Sequence, residues 1–250
     1  MIGKDAGKGS GTGNNATANI LIGYQAGTAI STGDAETAVG YQAAYSVTTG
    51  NSNSSLGYRA LYYNEAGTAA VAVGVNAGFM FGRGGHSAEG SIFLGNTAGY
   101  YATGSHNIFV GYEAGKGGTS GTPYSTGENN VGIGKHALYA FTTVDDIVAI
   151  GYSAAAALTT GARNTAIGFQ AMLEHTTGAN NMAIGHNAMA VTGAGSTSKG
   201  SYDNIFIGRN SGGGAWADVA SNYNVGVGNY TLDAALNGAL NNTALGNYSL

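Results

Sequence analysis

Residues 148–164 read VAIGYSAAAALTTGARN and residues 165–181 read TAIGFQAMLEHTTGANN, two stretches of 17 residues in phase about Ile150-Gly151 and Ile167-Gly168. The same centre, an aliphatic residue followed by Gly, recurs along the whole chain. Its glycines are Gly3, Gly23, Gly40, Gly57, Gly74, Gly95, Gly111, Gly134, Gly151, Gly168, Gly185, Gly208, Gly228 and Gly246, making 14 copies. Successive spacings are 20, 17, 17, 17, 21, 16, 23, 17, 17, 17, 23, 20 and 18, so 17 is the basic period and the longer ones carry insertions. Self-similarity at such a period marks a stacked-repeat architecture and outranks any residue-by-residue reading. No composition shift or linker interrupts it, so residues 1–250 read as one elongated array.

Each column of the repeat has a physical meaning. The residue before the Gly is Ile, Val or Leu in every copy: after Ile2 come Ile22, Val39, Leu56, Val73, Leu94, Val110, Ile133, Ile150, Ile167, Ile184, Ile207, Val227 and Leu245. This column reads as a continuously buried, β-favouring core stripe. Two residues earlier, Ile20, Val71, Ile92, Ile108, Val131, Val148, Ile205 and Val225 share the column with Thr or Ser in most other copies, a period-2 relation that puts both columns on one face of a short strand. The repeat Gly reads as a corner with positive φ or close backbone approach. Three residues beyond it stands Ala in 11 copies, and Ser211, Thr231 or Ser249 in the others, so small size is selected there. Asn precedes the strand in nine copies, as at Asn53, Asn164 and Asn204, which implies a turn using αL geometry or a side-chain-to-backbone bond. One rung is therefore expected to be strand, Gly corner, second short strand and turn.

A 17-residue rung offers two or three inward side chains and cannot enclose a core alone. Stacking rungs about 4.8 Å apart would give 14 of them a length of roughly 65 Å. The expected fold class is all-β, a parallel β-solenoid of about 14 rungs of ~17 residues, with other chains completing a thin core.

Composition agrees. The 250 residues include 45 Gly, one Pro and no Cys, with 9% charged residues, 43% hydrophobic residues, 16 Tyr and a formal charge of −4. That excludes disulfide scaffolds, collagen, coiled coils and intrinsic disorder. It offers no basic field for nucleic acid or anionic lipid, and no apolar run near the roughly 20 residues that span a bilayer. The opening MIGKDAGKGS lacks the pattern of a secretory signal, and both ends fall inside a motif, so the chain is read as a segment of a longer array.

Copies such as NTAIGFQA, NMAIGHNA and NTALGNYS resemble the head repeats of trimeric autotransporter adhesins and, more closely, the related repeats in bacteriophage tail-fibre shafts. The resemblance covers essentially the whole chain. It implies a left-handed β-roll assembled as a homotrimer, intertwined or side by side, with the Ile/Val/Leu column facing the interior. It further implies a non-enzymatic structural or adhesive fibre segment outside the cell, on a virion tail fibre or a bacterial surface, projecting towards a host cell-surface glycan or protein receptor and meeting neighbouring segments end to end. The 17-residue period with insertions, longer and less regular than the adhesin repeat, favours the tail fibre. A self-assembling filament is the alternative; a glycan-degrading tailspike is remote.

The chemical motifs are weak. GKDAGKG at Gly3 to Gly9 and GIGKHA at Gly132 to Ala137 are Gly-rich because the repeat supplies Gly, and lack the spacing of a phosphate loop. His86, His106, His136, His175 and His186 fall in different phases and read as surface or turn residues, an axial ring of His being the minor alternative. Asp145-Asp146 is the sole adjacent carboxylate pair and reads as a solvated turn. No catalytic residue, cofactor or metal is expected. Tyr24, Tyr41, Tyr58, Tyr112, Tyr152 and Phe169 follow the repeat Gly, where Lys4, Lys135 and Arg209 are also accepted, so the column is exposed and its aromatics are expected to stack rung on rung. A sugar-stacking stripe is the second reading. Recognition is placed on the insertions. These are Phe79-Met80-Phe81 with Arg83 and His86, Pro123-Tyr124, Ser196 to Tyr202, and Gly212 to Asn222 with Trp216; the candidate surface residues are Phe79, Phe81, Arg83, Tyr124 and Trp216.

Overall fold

A computed structural model describes residues 1–9, 15–118, 124–190, 200–214, 216, 219–234 and 236–250. Pro123, residues 196–199 and part of the 212–222 segment therefore lie outside the described residues. Two compact units divide the chain, 1–128 and 129–250. The first holds β1 (Ile20–Ile22), β2 (Thr37–Val39), β3 (Ser54–Leu56), β4 (Val71–Val73), β5 (Ile92–Leu94) and β6 (Ile108–Val110). The second holds β7 (Val131–Ile133), β8 (Val148–Ile150), β9 (Thr165–Ile167), β10 (Met182–Ile184), β11 (Ile205–Ile207), β12 (Val225–Val227) and β13 (Thr243–Leu245). Within each unit every strand pairs in parallel with the next, in register: Ile20 faces Thr37, and Met182 faces Ile205 across a 23-residue rung just as Thr165 faces Met182 across a 17-residue one. The clipped first copy joins through a bridge from Ile2 to Ile22. The chain is thus an all-β parallel solenoid, and the insertions leave its register untouched.

The inward face is the opposite of the one expected. In each three-residue strand the middle side chain is buried: Leu21, Ala38, Ser55, Ala72, Phe93, Phe109, Ala149, Ala166, Ala183 and Phe206 are at most 2% exposed. The flanking columns point outward. Ile22 is 37% exposed, Leu56 52%, Val73 38%, Ile133 37% and Leu245 70%, and Val39, Leu94, Val110, Ile150, Ile167, Ile184, Ile207 and Val227 are half-buried. The two flanking columns do share one face, as their period-2 relation requires, but it is the outer face. A coil of 17 residues leaves room inside for one side chain per strand, and the small middle residue fits where two Ile would not.

Two more columns complete each core layer. One starts three residues past the repeat Gly, with Ala26, Ala43, Ala60, Ala137 and Ala171 fully buried as small size required. The other lies seven past it: Ile30, Val47, Asn64, Phe81, Phe141, Leu158 and His175. Volume is shared between the strand's middle residue and the residue four past the Gly. Where the middle residue is Phe93, Phe109 or Phe206, that residue is Gly99, Gly115 or Gly212, and a Cβ there would strike the ring. Where the middle residue is Gly132, Ala166, Ala183 or Gly226, it is Leu138, Met172, Met189 or Leu232, all buried. In these rungs large answers small, which keeps the interior filled.

Among the described residues no second strand follows the corner. The chain instead runs through consecutive turns in which the residues two and four past the Gly adopt positive φ, as at Gln42 (53°) and Ala44 (49°). Such geometry costs a non-Gly residue energy unless its surroundings fix it. Here the neighbouring rungs do: Gln42 N–H donates to the Tyr24 carbonyl of the rung before, and Ala44 N–H to the Ala60 carbonyl of the rung after, both at 2.9 Å. Turn amides are gathered too, with Thr48, Thr49 and Gly50 N–H all directed at the Glu65 carbonyl at 3.0, 3.1 and 3.3 Å.

The Asn column forms a ladder along the axis. Asn164 Oδ1 accepts from Asn181 N–H at 2.8 Å and Nδ2 at 3.1 Å, and Asn181 Oδ1 does the same for Asn204 at 3.1 Å each. Asn164 Nδ2 also donates to the Gly178 carbonyl at 2.7 Å. The αL geometry belongs to the residue before, such as Arg163 (φ 57°), so the Asn itself works through its side chain.

Glu36 occupies this column between Asn19 and Asn53 and is fully buried. Its Oε1 accepts from Asn53 N–H at 3.2 Å and Nδ2 at 2.8 Å, while Oε2 has no partner. Burial disfavours the carboxylate and pushes its pKa up from 4.5 to about 7, against the pull of the two Asn53 bonds. The folded pKa lies above the unfolded one, so folding takes up a proton. The contribution of Glu36 to stability is therefore full below about pH 4.5 and is lost as pH rises through about 7, by up to about 3 kcal/mol. Glu36→Asn, which restores the ladder residue, is expected to abolish that loss: in thermal melts at pH 5 and pH 8 the natural chain should lose stability relative to the variant as pH rises, every other titrating group being common to both.

Candidate surface recognition site

Two aromatic ladders run along the first unit. Tyr24, Tyr41 and Tyr58, one past the repeat Gly, stack at 5.2 and 5.3 Å between centroids and are about two-fifths exposed, as expected of that column. The second ladder, five past the Gly, is Tyr45, Tyr62, Phe79 and Tyr100, stacked at 5.0, 5.2 and 4.7 Å. Gly40, Gly57, Gly74 and Gly95 set the phase of this column, so Phe79 belongs to the regular rung and not to an insertion. Arg59 bridges the two ladders, its guanidinium carbon 5.1 Å from the Tyr58 ring centre and 5.3 Å from that of Tyr62. Its Nε donates to Gln42 Oε1 at 2.9 Å, and Gln42 Nε2 to Gln25 Oε1 at 2.9 Å, a third polar ladder two past the Gly.

In the second unit Tyr152, Phe169 and His186 continue the pattern at 5.1 and 4.9 Å. Each stack adds a few tenths of a kcal/mol to about 1 kcal/mol. Tyr152→Ser should consequently lower stability by only about 1 kcal/mol in a denaturant titration and leave chain association unchanged.

Three of the five candidate surface residues are buried. Phe81, fully enclosed, belongs to the core column seven past the Gly and meets Phe93 edge-on at 5.4 Å. Phe79, 8% exposed, is a rung of the second ladder. Trp216, 2% exposed, packs edge-on against Phe206 at 6.0 Å and His175 at 6.3 Å. Apolar aromatics near a coil axis find the interior before they find a partner. His175 likewise is not a surface residue: its ring fills a core position, Nε2 lies 3.0 Å from the Ser201 carbonyl, and burial pushes its pKa down to about 4. Among the described residues no three His, Asp or Glu side chains converge as metal ligands would.

Arg83 and Tyr124 do come together. The 21-residue rung between Gly74 and Gly95 departs from the regular path only after Phe81, in a short turn whose Gly82, Gly84 and Gly85 have φ of 64°, 73° and 75°. Arg83 stands at its head. Its guanidinium lies 4.5 Å from the centre of the Tyr63 ring and 5.6 Å from that of Tyr124. Tyr63 is itself braced edge-on against Tyr62 and Phe79 of the second ladder, at 4.7 and 5.1 Å. The rigid ladder thereby fixes the position of a charge on a loop. Arg83, Gly84, His86, Thr103, Tyr124 and Thr126 line a notch of about 160 Å3. Chemically it offers one planar cation, an imidazole, a phenol and two hydroxyls, a set suited to binding. Neither a carboxylate pair nor an activated nucleophile stands among these lining residues.

The chain was compared with family models, with curated proteins and with solved structures, and nothing in any of the three matches it.

Proposed function

We propose that the protein is a non-enzymatic fibre segment of the tail-fibre or surface-adhesin kind, working outside the cell as a homotrimer and presenting inserted loops to a host-surface receptor. The observation that carries this reading is the outward aliphatic face. Ile20 is 55% exposed, Leu56 52% and Ile205 38%, and with the other flanking residues they form stripes along one side of each unit. Monomeric soluble proteins rarely leave such a continuous apolar surface in water. A second and third copy of the same chain, related by rotation about a common axis, would cover these stripes with themselves. The number three comes from the repeat resemblance.

Light scattering tests the assembly and electron micrographs the form. The expected mass is three times the 24.8 kDa of one chain, in discrete rods. A stable single-chain mass would overturn the trimer, and indefinitely long fibres would replace the fibre segment with a polymerising filament.

A further inference from the structure

We infer that the Arg83 notch is a binding site for a carboxylated sugar within an acidic surface polysaccharide; this rests on the receptor-contact reading above and names its ligand class. The first observation is an unspent cation. Among the described residues no carboxylate lies within 4 Å of the Arg83 guanidinium, and its one hydrogen bond goes to the Met80 sulfur at 3.2 Å, a weak acceptor. An arginine held this firmly normally spends its forked donors on an anion. The rings of Tyr63 and Tyr124 lie 4.5 and 5.6 Å from the guanidinium carbon and hold it in place without offering an anion to its N–H donors.

The second observation is what surrounds that edge. A second hollow of about 260 Å3 shares His86, Thr103 and Thr126 with the notch and extends it past Ser87 and Ser105 to Glu128. The surface leading away from the cation is therefore lined with hydroxyls of Thr103, Thr126, Ser87 and Ser105, which exchange hydrogen bonds readily with sugar hydroxyls. A lone phosphate would use the cation and leave the hydroxyl-lined groove empty. A sugar acid uses both, its carboxylate on Arg83 and its ring and the next residue along the groove. The notch has room for a single sugar ring, and Tyr124, 41% exposed, borders it with an aromatic edge.

The test is calorimetric titration of the intact protein with a galacturonic-acid trisaccharide, its neutral galactose counterpart, and inorganic phosphate. The acidic trisaccharide is expected to bind at least about ten-fold more tightly than the neutral one, with the difference shrinking in high salt. Arg83→Gln should erase that preference, and Arg83→Lys, which keeps charge without the fork, should restore part of it. Equal binding of acidic and neutral trisaccharides by the natural chain, a measurement that requires no variant, would overturn the proposal. So would an unchanged preference in Arg83→Gln with a native melting curve, or complete displacement of the trisaccharide by equimolar phosphate. Mass measured on the same samples separates this from the fibre reading: a trimer that ignores acidic sugar sinks the site alone, whereas a monomer that binds it sinks the trimer and leaves the site standing.

Discussion

Gly95→Ala is expected to cost the first unit on the order of 3–5 kcal/mol, enough to unfold many domains. Two effects add. Gly95 has φ +136°, a conformation L side chains rarely adopt and one that costs about 1–3 kcal/mol where it is forced. Its missing Cβ would also stand 2.5 Å from the carbonyl oxygen of Gly111 and 2.8 Å from the carbonyl carbon, so the corner of the next rung would have to retreat. That next corner is bonded in turn, Gly111 N–H donating to the Leu94 carbonyl at 2.8 Å, so retreat breaks a ladder bond. Asn96→Ala, one residue on and exposed, should change stability by less than about 0.5 kcal/mol. Denaturant titration of the two variants side by side checks both numbers, and equal midpoints would refute the role given to the corner.

The second large effect is on assembly. Ile167→Asp is expected to convert the proposed trimer into single chains of 24.8 kDa while leaving each chain folded. The side chain is half-buried at the end of β9 on the outward face, so an isolated chain can hydrate the new carboxylate. In a trimer three such charges would be brought together and stripped of water, at a cost of several kcal/mol per ion. Light scattering reads the mass and a melting curve reads the fold. A variant that remains trimeric would show that the outward stripe is not where chains meet. Had Ile167 been in the core, as the column first implied, the same substitution would unfold the chain, so the two measurements also distinguish the inner from the outer face.

That distinction shows where the sequence was informative. Fourteen phased glycines give the solenoid, its period and its registers, and the corner at Gly95 has the backbone geometry its residue type requires. Which face of a three-residue strand points inward was not readable from hydrophobicity, because in most rungs the larger and more apolar residues stand outside: Ile150 and Ile184 are outward while Ala149 and Ala183 are enclosed. The usual rule that the apolar face is the core face assumes that one chain covers its own surface. The cue that could have settled it is the trade between Phe93, Phe109 or Phe206 and a glycine six residues later, since volumes compensate only where side chains share one confined space.

The candidate site divides the same way. Phe79 and Phe81 keep the phase of the regular rung, five and seven residues after Gly74, and counting from that glycine would have returned them to ladder and core. Arg83 lies beyond the last in-phase residue, where an insertion is free to leave the coil. Its pairing with Tyr124, from a later rung, depends on how two loops meet across neighbouring turns, which spacing alone does not encode. Residues 119–123 and 191–199, where other insertions fall, lie outside the described residues.

Because, among the described residues of each unit, rungs are wired to the one before and the one after, through the Asn ladder, the shared turn carbonyls and the stacked rings, reach becomes a countable quantity. Inserting or deleting one whole 17-residue cassette would alter a unit by one strand spacing, about 4.8 Å, with every surviving bond finding the same kind of partner. Losing three residues from within a cassette would instead put every column of that rung out of step. Such a chain can be retuned in length by unequal recombination between its own repeats, a graduated ruler whose marks are the corner glycines.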